Sequence, residues 1–358
     1  MQFKANFSAD IPHLLNELNI SLILSTYQAG KVIVIGSDGQ NPYQLVRDFD
    51  RPMGMAFQDD MMALACSMSV TVFKNDRQLA VTYPKKPNTY DAFFFPVQSN
   101  RTDFIDMHDL AYTSQGLVGV NTAYSCLSRI DGQYSFNPIW KPFFISDLVS
   151  NDKCHLNGLA VDSRGDISYV TAFSDTDVKD GWRTNKLQGG VLVDVPNNKI
   201  VLRNLPMPHS PRLYQGDLYV LLSASEKLVK VDVESGSYTT IAKIDGFIRG
   251  LSFVDNYAVI GVSKLRKTHT FADLSIAKKK LSAGVVIVDL TSGEIVGEIK
   301  YGSDVDEIYD VHVLPGIRRA NIMNFIQSIQ HRALITPFGS GWVDANKENQ
   351  LSMELNNA

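Results

Sequence analysis

An all-β fold, a six-bladed β-propeller whose last blade is closed by strands from both chain ends, is predicted by three features of the 358-residue sequence. One short motif recurs six times. Hairpin patterns follow most of its copies. Three strand-like segments precede the first copy, and no comparable set follows the last. The copies are RPMGMAF from Arg51, HDLAY from His108, HLNGLAV from His155, HSPRLY from His209, RGLSF from Arg249 and YDVHVL from Tyr309, with starts 40–60 residues apart. Propeller blades run about 40–50 residues, each a four-stranded antiparallel sheet, so the longer intervals carry loop insertions.

The segments within each repeat read in order. After HLNGLAV the turn DSRG leads to DISYVTA, after HSPRLY comes QGDLYVLLS, and after RGLSFV comes DNYAVIGVS. Each is an alternating run, a tight Gly/Asp/Asn turn and a second alternating run, which is a hairpin signature. Third and fourth strands follow as GGVLVDV with KIVLRNL, KLVKVDV with SYTTIAK, and GVVIVDL with EIVGEIK, joined by PNN, ESG and TSG. Strands near SLILST, KVIVIG and YQLVRDF pair with the final YDVHVL and shut the ring, which removes exposed sheet edges. The propeller thus spans 1–317. The extension 318–358 is partly helical or disordered, with a short helix expected in ANIMNFIQSIQH and a polar tail in KENQLSMELNNA. Two sandwiches are the competing all-β arrangement. A β-helix needs shorter coils, and an α/β fold needs helical periodicity that the segments lack.

Composition bounds the function. The chain is 44% hydrophobic with a formal net charge of −4, which offers no electrostatic reason to expect nucleic acid or an anionic membrane as partner. Asp10, Pro12, Asn16 and Glu17 interrupt the apolar runs a signal peptide needs, and no run approaches the length of a membrane span. Cys66, Cys126 and Cys154 are odd in number and far apart, which fits a reducing cytoplasm, and the sequons at Asn6, Asn19 and Asn100 are then chance matches.

The stretch HLNGLAVDSRGDISYVTA resembles one blade of gluconolactonase-like and strictosidine-synthase-like six-bladed propellers. A longer set of segments, STYQAGK, RPMGMAF, HDLAY, NTAYSCLSRID, CHLNGLAVD, YVTAFSDTD, GWR, MPHSPR, RGLSF and YDVHVLPG, resembles a bacterial propeller family of uncharacterised function. The first resemblance implies a divalent cation held in the channel by carboxylates and asparagines. Asn157 matches that set, whereas the blade that would supply a metal-binding Asp reads MPHSPR.

Aligning the six motifs on their apolar–small pair places Met53, His108, Asn157, His209, Arg249 and Tyr309 at one height in the channel. Arg51, Asp109, His155, Arg212, Glu307 and Asp310 flank them, and the alignment of His209 has one residue of slack. Buried imidazoles and a guanidinium need partners, water or a ligand. The expected site therefore takes His108, His155 and His209 as catalytic groups, and Asn157, Arg212, Arg249, Trp182, Arg183 and Asp310 as substrate-binding groups. His108, Asn157 and His209 are the candidate ligands of a divalent metal ion. A metal would activate water for a hydrolase or lactonase-like reaction. The metal-free version uses His as acid/base while Arg249 and Arg212 clamp a carboxylate or phosphate. The expected ligand is a small anionic or carbonyl-containing molecule. The alternative is a non-catalytic scaffold that binds a protein or peptide on its face. Long insertions between second and third strands, 173–189 and 264–283, fall on the same face as the histidines, and the run Lys278, Lys279 and Lys280 reads as a solvated surface.

Overall fold

Six antiparallel four-stranded sheets repeat one plan around an axis in the computed structural model, which describes residues 3–265, 274–325 and 332–343. Blades are numbered here by their inner strands. Blade 1 starts at Met55–Gln58, blade 2 at Met107–Thr113, blade 3 at Leu156–Val161, blade 4 at Pro208–Tyr214, blade 5 at Phe247–Val254 and blade 6 at Asp310–Pro315. Consecutive inner strands touch, and the sixth touches the first. Closure follows the expected route: Asp310–Pro315 pairs antiparallel with Ile20–Thr26, and Lys31–Ser37 and Pro42–Asp48 complete blade 6. The core lies between blades, where alternate strand residues from facing sheets interdigitate. One such layer joins Leu22, Leu24 and Ile35 of blade 6 to Val285, Ile287 and Ile299 of blade 5.

The inner strands are held together by a device that alternates around the ring. At the position after the aligned column, blades 1, 3 and 5 carry Gly54, Gly158 and Gly250, while blades 2, 4 and 6 carry Asp109, Ser210 and Asp310. Each polar residue accepts a backbone N–H from the next blade: Asp310 from Met55 at 3.0 Å, Asp109 from Leu159 at 3.1 Å and Ser210 from Gly250 at 2.9 Å. Each glycine lies against the following blade's polar segment. A Cβ on Gly54 would stand 2.6 Å from the Asp109 Cα, one on Gly158 2.5 Å from Pro211 Cδ, and one on Gly250 2.8 Å from the Asp310 Cα. Hydroxyls at the ends of second strands add further ties to the next blade's backbone carbonyls: Ser25 to Met53, Thr122 to Leu156, Ser223 to Ile248 and Ser263 to Ile308.

Both chain ends add strands outside this plan. Ala5–Phe7 extends blade 5 antiparallel to Ile295–Tyr301, and the helix Ile11–Glu17 seats Ile11 and Leu15 in the layer between blades 5 and 6. At the other end, Ala320–Ile322 is not helical. It is a short strand parallel to Ala92–Arg101 of blade 1, because the Asp91 carboxylate accepts the backbone N–H groups of Arg318 and Arg319 and steers the chain along that open edge. The remainder of the expected helix, 326–331, and the polar tail, 347–358, lie outside the described residues. A hairpin, Ala333–Thr336 with Gly339–Trp342, packs Trp342 on Tyr83 and Phe93, beside the helix Arg77–Val81. The three cysteines are buried and unbridged. No helix among the described residues is long and apolar enough to cross a membrane.

If the glycines exist for close approach, Gly54→Ala costs about 1–3 kcal/mol by overpacking. Gly302→Ala, where an added Cβ meets nothing within 4 Å, stays within about 0.5 kcal/mol of the parent. Urea titration of both variants checks this, and equal midpoints would refute the packing role.

Candidate functional site at the histidine-lined mouth

The first residues of the inner strands set the geometry. In blades 1 to 4 the residue two places before the aligned column adopts a left-handed backbone: Arg51, Asp106, His155 and Met207, with φ between 46° and 52°. In blades 2 to 4 this turns that residue's carbonyl back toward the column side chain. The Asp106 carbonyl accepts from His108 Nδ1 at 3.0 Å, the His155 carbonyl from Asn157 Nδ2 at 3.2 Å, and the Met207 carbonyl from His209 Nδ1 at 3.2 Å. His108, Asn157 and His209 are therefore equivalent positions, and the slack in the His209 alignment disappears.

A funnel of about 290 Å³ opens at this end of the channel. His108, His155, His209, Arg249, Trp182 and Arg183 line it, together with Asp152, Phe173, Phe247, Glu307 and Tyr309. Lys264 and Leu265 also reach it, so the described parts of both long insertions meet the histidines on one face. Residues 266–273 of the second insertion lie outside the described residues. Lys278, Lys279 and Lys280 are exposed, and Lys279 is tied to Glu226 and Asp245.

Three residues expected in this site are placed elsewhere. Asn157 is buried behind the funnel wall. Its amide also accepts from Thr171 Oγ1 at 2.8 Å, and His155, two residues earlier, occupies the lining instead. Being shorter than an imidazole, the Asn side chain is used up by these local bonds. Arg212 and Asp310 lie further along their strands, toward the opposite mouth. Arg212 grips Asp109 through two nitrogens, at 2.8 and 3.2 Å, and donates to the Leu159 carbonyl. Asp310 accepts from Met55 and Val311 and meets His312 Nε2 at 3.3 Å. With Asp109 these residues tie the ring together and do not line the funnel.

The hydrogen bonds fix the state of each imidazole. A carbonyl can only accept, so Nδ1 of His108 and of His209 carries the proton. His209 Nδ1 also bonds Ser223 Oγ at 2.7 Å, whose own hydroxyl is given to the Ile248 carbonyl. His155 Nδ1 lies 2.9 Å from Asp152 Oδ2, which also accepts from Trp182 Nε1 at 2.9 Å. The His155 ring is held between Trp182 and Phe173, with centroids 4.3 and 4.6 Å away. Each ring thus leaves its Nε2 without a partner among the described residues, and none of these Nε2 atoms is sealed from the cavity. Burial, then the neighbouring His155 and Arg249, push the His108 pKa well below 6.5, and burial with Arg249 does the same to His209. Arg249 lies over the Tyr309 ring at 3.5 Å and 3.6 Å from Glu307. The Tyr309 hydroxyl is buried beneath the wall and finds no hydrogen-bond partner among the described residues.

Sequence reasoning passed over Asp152, Phe173 and Phe247. Asp152 stands three residues before His155, and that spacing was the available signal. As to a metal, no group of three or more His, Cys, Asp or Glu among the described residues is spaced to share one ion. The imidazole Nε2 atoms are the donors that would face one.

The depressed imidazoles link folding to pH. As pH falls below about 6.5, the unfolded chain protonates histidines that the folded chain keeps neutral, so stability drops with acidification. The slope approaches about 1.4 kcal/mol per pH unit for each such group. Thermal melts between pH 7.5 and pH 5 should show a shallower loss in the His108→Gln/His209→Gln double variant than in the parent; parallel curves would contradict the assignment.

Comparison with solved structures supports the architecture alone. A chain of the nidogen/laminin complex matches with TM-score 0.50 and 10% identity over 83% of this chain and 98% of that one. A protein of unknown function from Bacteroides caccae matches with TM-score 0.53 and 11% identity over 82% and 98%. No curated protein matches the sequence. A family model described as a domain of unknown function, DUF4915, matches residues 9–323, the whole ring from the first helix to the fifth strand of blade 1, and the chain belongs to that family.

Proposed function

We propose that the funnel is the binding and reaction site for a small polar molecule, and that the protein is a hydrolase or related acid–base enzyme. The observation that carries this reading is the Asp152 carboxylate, which is bonded at once to His155 Nδ1 and Trp182 Nε1. A carboxylate behind a histidine holds one tautomer and stabilises the imidazolium that forms when Nε2 takes a proton. His155 Nε2 then serves as base toward a water or a substrate hydroxyl. A carbonyl oxygen of the substrate lies toward Arg249, where developing negative charge is stabilised.

In the metal-dependent version of this reading, His108 and His209 hold a divalent ion and a third donor comes from solvent or substrate. Elemental analysis of the purified protein tests it: a metal retained by the parent and lost in both His108→Ala and His209→Ala favours this version. The scaffold reading gains if a protein partner is displaced by substitutions on the rim while the funnel takes no small molecule.

The test of the main reading is a screen of carbonyl-containing fragments against 15N-histidine-labelled protein. Ligands should move the ring signals of His108, His155 and His209. With a substrate so found, His155→Gln lowers kcat by about 10²–10⁴-fold, and Arg249→Ala raises KM. Full turnover by His155→Gln would overturn the assigned base.

A further inference from the structure

The three imidazoles present the same chemical face to the funnel. Each has Nδ1–H committed to the protein, and each offers an Nε2 lone pair. Such an array asks for hydrogen-bond donors on the guest. An apolar guest would bury these lone pairs unsatisfied, at a cost of roughly 1–3 kcal/mol each.

Charge narrows the class further. Among the described lining residues, three cations, Arg183, Arg249 and Lys264, face three carboxylates, Asp106, Asp152 and Glu307. Arg249 is matched by Glu307 at 3.6 Å, Arg183 by Asp180 at 3.0 Å and Lys264 by Asp306 at 2.6 Å. Each described lining cation is therefore already matched by a carboxylate, and none is left over for an anion to neutralise; of the other lining carboxylates, Asp152 is bonded by His155 and Trp182 and Asp106 is exposed to solvent. An anionic guest would set its oxygens against imidazole lone pairs. A cationic guest would have to sit beside the Arg249 guanidinium, which lies over the Tyr309 ring within the same funnel.

Hydroxyl groups satisfy every remaining demand. They donate to Nε2, and they accept from Arg249. A volume of about 290 Å³ is at the lower end for ligand pockets and suits a molecule with few heavy atoms. On the reading above that the funnel is a small-molecule site, we infer that its ligand is an uncharged compound with several hydroxyl groups, held by the Nε2 atoms of His108, His155 and His209 and by Arg249. This narrows the expected anionic or carbonyl-containing ligand to a neutral polyhydroxyl one, with any carbonyl being that of an uncharged group.

The test uses matched probes on the full chain: xylitol and myo-inositol as neutral polyols, xylonate as the anion and 1-amino-1-deoxyxylitol as the cation. Calorimetry gives affinities, and 15N-histidine signals report the place of binding. The expected result is that a polyol binds at least tenfold more tightly than either charged probe and shifts all three Nε2 resonances. His209→Ala, the side chain tied to Ser223 at the funnel wall, should weaken polyol binding tenfold or more, while Lys230→Ala, on an outer strand, leaves it unchanged. Tighter binding of xylonate or of the amine, with the imidazole signals moving, overturns the ligand class and leaves the small-molecule site standing. Failure of all four probes to move any imidazole signal overturns both.

Discussion

The structure depends on how closely six inner strands can approach one axis. A strand with side chains on both flanks needs more room than the centre of a ring allows. This chain solves the crowding by alternation: a glycine in one blade, a short hydrogen-bond acceptor in the next. The acceptors do two things at once. They satisfy backbone N–H groups that the twist of neighbouring sheets leaves unpaired, and they weld each even-numbered blade to the one after it. Asp109 and Arg212 extend the weld across blades 2, 3 and 4 through a bidentate ion pair in the channel. Asp109 is buried, so loss of Arg212 alone would leave its charge uncompensated.

The funnel follows from the same strands one step earlier in sequence. Where the chain enters the inner strands of blades 2 to 4 it makes a left-handed kink, and the kink's carbonyl captures the side chain two residues on. With Asn this capture makes a structural bond. With His it makes a defined tautomer, because only one ring nitrogen is used and the other must face away. The fold thus converts a backbone irregularity into a row of oriented lone pairs. His155 reaches the same surface by another route, as the kinked residue itself, and its orientation comes from Asp152 and from the aromatic rings on either side.

How much of this was legible in the sequence follows from which interactions are local. The six inner strands, the hairpins and the closure of blade 6 by Ile20–Thr26 could be read, because apolar alternation and turn residues report strands directly. His108, His209 and Arg249 could be aligned because their motifs keep one register. Asn157 was drawn into the same ring for a sound reason, since it occupies the equivalent position, but register gives a side chain's starting point and not its reach. Arg212 and Asp310 were misplaced along the axis because a motif aligned by type does not say which end of a strand faces which mouth. The parallel strand at Ala320–Ile322 was hidden for a different reason: its pairing depends on Asp91, more than two hundred residues away.

The pairing of Ile20–Thr26 with Asp310–Pro315 has a consequence for synthesis. The segment from 20 to 48 leaves the ribosome before the other ring strands, yet its innermost partner is the last ring strand made. Blades 1 to 5 draw all four of their ring strands from contiguous stretches and can assemble as they emerge. The N-terminal three strands meanwhile form a sheet with an unsatisfied inner edge, and closing so long a loop carries an entropic penalty that short-range hairpins do not. The nascent chain must therefore keep its earliest apolar strands from pairing wrongly until its last ring strand appears. A fold that ends as a closed circle spends most of its production as an open arc, with its adhesive edge at the oldest end of the chain.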